Sequence, residues 1–260
     1  MYRILPTFGG DPRAVSEVVR NIMDGKTNNT GTLTLATGGA TTTTLIDRRI
    51  GRNSVILFVP ASAAAFADYS PYGAFQDGTD QTVANTTTAY PITFDTTDYS
   101  NGVTLSNSSR LNVKVAGLYN IQFSIQLKNT TNDSQDADIW FRKNGTDIAA
   151  SNSKFGLAPR KASGDPFHLI GAMNFYVELA ANDYIQLMWR ASDTGVVIEH
   201  YVAGTSPTRP LTPSVIATVN LVSLAASTNI YASSQGQGTA TITHFANSTA
   251  NKTYRYAIIG

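Results

Sequence analysis

Beyond Gly25 the chain sustains no helical hydrophobic repeat, and this confines most of it to β-structure. Apolar and polar residues instead alternate with period two in short runs. Each run stops at a cluster of Gly, Asn, Asp or Pro, such as Ser100-Asn101-Gly102, Lys143-Asn144-Gly145 or Ala181-Asn182-Asp183. Period-two runs predict strands at 31–36, 41–46, 54–59, 90–94, 110–115, 118–127, 137–142, 167–179, 184–190, 196–202, 214–222, 238–243 and 253–259. The segment 61–67 reads as a loop or short turn. The run 167–179 is long for one strand, so a bend is expected near Gly171. Many strands at regular spacing with turn signals between them argue an all-β sandwich or barrel. The polar residues are mostly Thr, Asn, Ser and Gly, which favour strands and turns. Charged residues make up only 14% of the chain, against about 25% in an ordinary domain. Hydrophobic residues, at 42%, suffice to fill a core.

One helix is expected, at about 11–24. Asp11 stands at the N-cap, Pro12 at the first helical position and Gly25 just past the end, the usual punctuation of a helix. Val15, Val18, Val19, Ile22 and Met23 form an apolar stripe, and Arg13, Ser16, Glu17 and Arg20 lie opposite. Two readings stay open: the stripe packs on its own domain, or it meets copies of itself at an oligomer axis. The arm before the helix carries Tyr2, Ile4, Leu5 and Phe8. It is too apolar for a free tail, so it either binds another protein or folds back onto its own domain.

Net charge is +1, from 19 Lys and Arg against 18 Asp and Glu. Without clustered basic residues there is no electrostatic case for a nucleic-acid partner. Cysteine is absent, which excludes disulfides, thiolate nucleophiles and Cys-ligated zinc. No run reaches the ~18 apolar residues of a membrane helix, and 1–10 lacks a secretory pattern. A soluble chain made in a cytoplasm, with no membrane partner, is expected.

Ionisable groups for catalysis are scarce. His occurs at 168, 200 and 244 and Glu at 17, 178 and 199. Glu199 and His200 are neighbours, so on a strand they point to opposite faces. His168 reads as a rim or core residue, and His244 as a structural hydrogen-bond partner. No nucleophile-elbow or paired-histidine motif occurs. The acidic turns 77–80 and 133–138 read as solvated turns rather than calcium loops. No cofactor or metal is expected. Trp140 and Trp189 read as core or oligomer-axis residues, although aromatics can stack on sugar rings. A better exposed aromatic surface is expected from Tyr69, Tyr72 and Phe75.

Two resemblances add to this. The middle of the chain holds Gly117-Leu118-Tyr119-Asn120-Ile121-Gln122-Phe123, Ile139-Trp140-Phe141-Arg142-Lys143-Asn144-Gly145, the hairpin 177–187 and Pro213-Ser214-Val215-Ile216. In order and spacing these resemble the complement one-q/tumour-necrosis-factor-like jelly-roll family. The resemblance covers about 72–224 and implies a jelly roll that associates as trimers. None of that family's calcium or receptor residues has a matching motif.

The flanks hold Asn21-Ile22-Met23-Asp24-Gly25-Lys26, Asp47-Arg48-Arg49-Ile50-Gly51-Arg52-Asn53-Ser54-Val55-Ile56-Leu57 and the ending 243–260. They are similar to a small module of tailed-bacteriophage structural proteins, here split to admit an insertion. Insertion at a surface loop is tolerated when the ends of the insert lie close together. The expected organisation is therefore a discontinuous virion-anchoring base, 1–67 plus 228–260, with a jelly roll at 68–227.

Together the resemblances imply a non-enzymatic phage virion protein. Its implied role is a homotrimeric capsid decoration (cement) or head-fibre protein that partners the major capsid protein or another virion protein. Anchoring is expected through Tyr2, Ile4, Leu5, Phe8, Val15, Val18, Val19 and Ile22. The alternative is a tail-fibre or spike tip for host attachment that binds a host-surface glycan. A polysaccharide depolymerase would need clustered carboxylates in a groove, and three Glu are too few.

Overall fold

The structure is a computed structural model and describes residues 11–24, 29–67, 70–225 and 230–260. It is mostly antiparallel β and divides into two compact units. One unit takes both chain ends, Met1–Phe66 with Asn229–Gly260, and the other is Ala67–Thr228.

The first unit, the base, contains two three-stranded sheets. In one, Thr253–Ile259 lies between Thr30–Thr34 and Val55–Pro60. In the other, Thr239–Asn247 lies between Ala40–Ile46 and Tyr231–Gly236. Each central strand thus comes from the C-terminal end of the chain and pairs with an N-terminal strand, so neither sheet forms without both ends. Alternation along Thr253–Ile259 buries Tyr254, Tyr256 and Ile258 with Leu33, Leu45, Ile50 and Ile242 in one core. A short helix, Ala63–Phe66, occupies the expected loop, with the Ser62 hydroxyl accepting from the Ala65 N–H at 3.2 Å. Ser62 Oγ also accepts from the Thr253 N–H at 3.0 Å, tying this helix to the last strand.

The N-terminal helix spans Pro12–Met23, and the Asp11 carboxylate accepts from the Arg13 N–H. Its stripe is not covered by its own unit. Only Ala14 is buried and Val18 is half-buried, while Val15, Val19, Ile22 and Met23 are exposed. Gly25 and the arm residues Tyr2, Ile4, Leu5 and Phe8 lie outside the described residues.

In the second unit, the knob, two sheets enclose a large core. The long strand Gly117–Asn129 pairs with Phe167–Leu179 along its whole length on one side. On the other side it pairs with Val215–Leu224 and then Val196–Ile198. Tyr72–Asp77 and Thr96–Asn101 continue the sheet beyond Val215–Leu224. The opposing sheet centres on Gln135–Lys143 and Tyr184–Ala191. Between them lie Tyr119, Ile121, Phe123, Phe141 and Trp189. Phe141 stacks on Phe175 with ring centroids 4.9 Å apart. The Tyr119 hydroxyl donates to the Val115 carbonyl at 2.6 Å, which satisfies the one polar atom of this buried side chain.

Several expectations change. Phe167–Leu179 runs unbroken through Gly171 in constant register. Glycine stands there because a Cβ would come within 3.0 Å of Phe155 Cε1 and 3.1 Å of Ile125 Cγ2. Close packing, not a bend, explains it. The strands expected at 90–94 and 196–202 shorten to Tyr90–Pro91 and Val196–Ile198. The turns behave as their residues dictate: Asn144, Gly145 and Asn182 all take positive φ, which Asn and Gly tolerate best.

Candidate functional site

The surface that stands out is the outer face of the knob sheet built on Gly117–Asn129. Four adjacent strands carry no charged residue on either face over 72–76, 118–126, 169–177 and 215–224. Ser124 sits between Ala172 and Ile216, and Gln122 between Asn174 and Thr218. These six side chains line a shallow depression of about 590 Å³. Around it Ile170, Tyr176, Val222 and Tyr72 are exposed. Asn120, between Tyr176 and Asn220, has a buried side-chain oxygen without a hydrogen-bond partner. Solvated faces of antiparallel sheets are ordinarily polar, whereas this one sets exposed Ile, Tyr and Val among its amides and hydroxyls. Depletion of charge with retained aromatics and amides is the composition of an interface core.

Charges gather at one end of this face. Lys128 and His168 are register partners there. Lys128 Nζ lies 3.2 Å from Glu199 Oε2 and 3.6 Å from Asp80 Oδ2. The other Glu199 oxygen accepts from the Tyr201 hydroxyl at 2.7 Å and contacts His168 Nδ1. His200 turns instead to Asp80, with its N–H 2.9 Å and its Nδ1 2.7 Å from Oδ1. Burial pushes the Tyr201 phenol up, and its hydrogen bond to Glu199 adds to this, so it stays a donor. Burial also opposes the charge on Asp80, but His200 and Lys128 outweigh it and hold its carboxyl low. Both oxygens of the buried Glu199 are thus engaged inside the protein, which makes the cluster a clamp between strands. Local spacing could not show the His168–Glu199 contact, because the two lie 31 residues apart along the chain.

The acidic turns are likewise consumed internally. Asp77 accepts from Thr79 N at 2.8 Å and from Thr93 Oγ1 at 2.9 Å. Asp138 pairs with Arg190 at 2.8 Å and Asp136 with Lys154 at 3.3 Å. Among the described residues, no group of three or more His, Asp or Glu is placed to hold a metal ion.

The expected aromatic surface does not form as one. Tyr72 is exposed on the uncharged face, whereas Phe75 is fully buried against Phe94. An odd spacing on one strand puts them on opposite faces. Tyr69 lies outside the described residues. Trp189 is core, while Trp140, on the neighbouring strand of the same sheet, is half-buried. Trp140 lines a groove of about 420 Å³ with Asp138, Asp147, Asn152, Lys154 and Arg190. His244 bonds Thr43 Oγ1 at 2.8 Å and the Phe245 carbonyl at 2.8 Å, a link within the base.

In the base, Asp47 is the electrostatic centre. It is gripped by the Arg49 guanidinium, accepts from the Arg49 N–H at 3.0 Å and accepts from the Tyr256 hydroxyl at 2.7 Å. The Arg49 hydrogen bond holds its carboxyl well below the usual carboxylate range, against the opposing effect of burial.

Compared with known proteins, the chain matches no family model and no curated protein.

Proposed function

We propose that this is a non-enzymatic structural protein of a tailed-phage virion, built as a homotrimer in which the knobs meet through the uncharged sheet face. The observation that carries the self-association is that face: four adjacent charge-free strands with exposed Ile170, Tyr176, Ile216 and Val222. Three copies, and the virion itself, are drawn from the two resemblances. The base would dock on the major capsid protein or another virion protein, as head decoration or head fibre. The engagement of both Glu199 oxygens supports a structural rather than a catalytic reading of the Glu199–His168 pair. The test is to add the full chain to phage particles from which its coding sequence has been deleted. Saturable co-sedimentation with the particles is the result expected. Protein that stays in the supernatant at saturating concentration contradicts the reading.

A second reading, a tip that binds a host-surface glycan, is favoured by the Trp140 groove, which offers one aromatic face among polar side chains. Trp189 is buried, so fluorescence quenching by host lipopolysaccharide that disappears in Trp140→Phe would support it. An unchanged spectrum at saturating polysaccharide would reject it.

A further inference from the structure

Two apolar faces of the base stand open at once in a single chain. One is the helix stripe of Val15, Val19, Ile22 and Met23, between 39% and 82% exposed. The other is the outer face of the first base sheet: Val55, Leu57 and Val59 on its edge strand and Ile259 beside Val55, between 52% and 63% exposed. Their dimensions agree. Val15 to Met23 rises about 12 Å along the helix, and Val55 to Val59 spans about 13 Å along the strand.

Charge also agrees. Asp11 stands at the start of the stripe, while Arg13, Glu17, Arg20 and Asp24 lie on the far side of the helix. The sheet face is bounded by Arg52, just before the strand, and by Arg255, the register partner of Val59. Asp11 therefore meets one arginine or the other whichever way the helix runs.

We propose that the helix of one copy lies across the Val55–Leu57–Val59 face of the next copy, so that the bases interlock in a closed ring. The proposal rests on the self-association proposed above but concerns a different unit. Four or five side chains a side fall far short of the roughly 20–30 residues a side of a free-standing interface. A lone helix-on-sheet contact therefore does not hold a dimer. A head-to-tail contact that closes on itself lets each copy both donate a helix and receive one. The occupant is thus another copy within an assembly.

Because the chain has no cysteine, any disulfide reports the contact directly. Full-length Ile22→Cys and Leu57→Cys are purified separately, mixed, exchanged and oxidised. A mixed disulfide should form about a hundredfold faster than with Arg20→Cys on the charged helix face, as expected when contact raises a thiol at about 10 μM to an effective concentration of about 1 mM. The Ile22→Cys/Leu57→Cys double variant should give a covalent ladder on a non-reducing gel. An intramolecular disulfide confined to single chains would overturn the proposal in favour of a helix folded on its own base. No enhanced cross-linking in a solution whose scattering mass is multimeric overturns the helix exchange and leaves the self-association standing. A monomeric mass without cross-links overturns both.

Discussion

Gly31 and Tyr256 come from opposite ends of the chain and are register partners in the base. A Cβ on residue 31 would lie 2.3 Å from both Cζ and Oη of Tyr256, closer than any real contact. Tyr256 cannot yield easily: it is 7% exposed and its hydroxyl is held 2.7 Å from Asp47. Gly31→Ala therefore forces the ring aside. Overpacking of this kind costs about 1–3 kcal/mol, and a lost hydrogen bond to a carboxylate about 1.5–3 kcal/mol. The expected total is about 3–5 kcal/mol, enough to lower the melting of a unit this size by roughly 15–25 °C. Calorimetry should show the base transition falling and the knob transition unmoved. In a Tyr256→Phe background, Gly31→Ala should cost less by about 1.5–3 kcal/mol, because the hydrogen bond is already gone. A neutral Gly31→Ala would refute the pairing of the two chain ends.

Other perturbations separate the remaining contacts. The Asp47 carboxyl is depressed in the folded base, so its stabilisation is complete above the unfolded value of about 3.9. It is lost as pH falls below that toward the folded value. An acid titration of base melting should steepen below about pH 4 in the wild type and flatten in Asp47→Asn. Lys128→Met leaves Glu199 without its ammonium partner and should destabilise the knob by about 2–3 kcal/mol. Chemical denaturation should then show Glu199→Gln costing less in that background than alone. Deleting residues 1–10, with Tyr2, Ile4, Leu5 and Phe8, should abolish particle binding in co-sedimentation while leaving the number of subunits found by light scattering unchanged.

The most legible elements were those buried on one face only. Thr253–Ile259 alternates Tyr254, Tyr256 and Ile258 inward with Arg255 outward, so its period declares it. Thr96–Asn101 and Tyr231–Gly236 escaped because they are polar edge strands whose residues are largely exposed, which removes the alternation. Glycine in a strand marks either a bend or a close approach, and only the neighbours of Gly171 decide between them. Phe75 could have been separated from Tyr72 by parity alone. The charge-free runs are visible along the chain, but their adjacency is set by pairings between distant strands. The Lys128–Glu199–His168 clamp, assembled by the same pairings, has no local signature at all.

The most direct test of assembly through the uncharged knob face is the solution mass of the full chain beside that of Thr218→Arg. Thr218 lies between Gln122 and Ala74 in the middle of that face, where an arginine would bring like charges together in every copy. Light scattering should give three times the 27.8 kDa chain mass for the wild type and a single chain mass for a folded Thr218→Arg. A monomeric wild type, or a variant that stays trimeric, would contradict it.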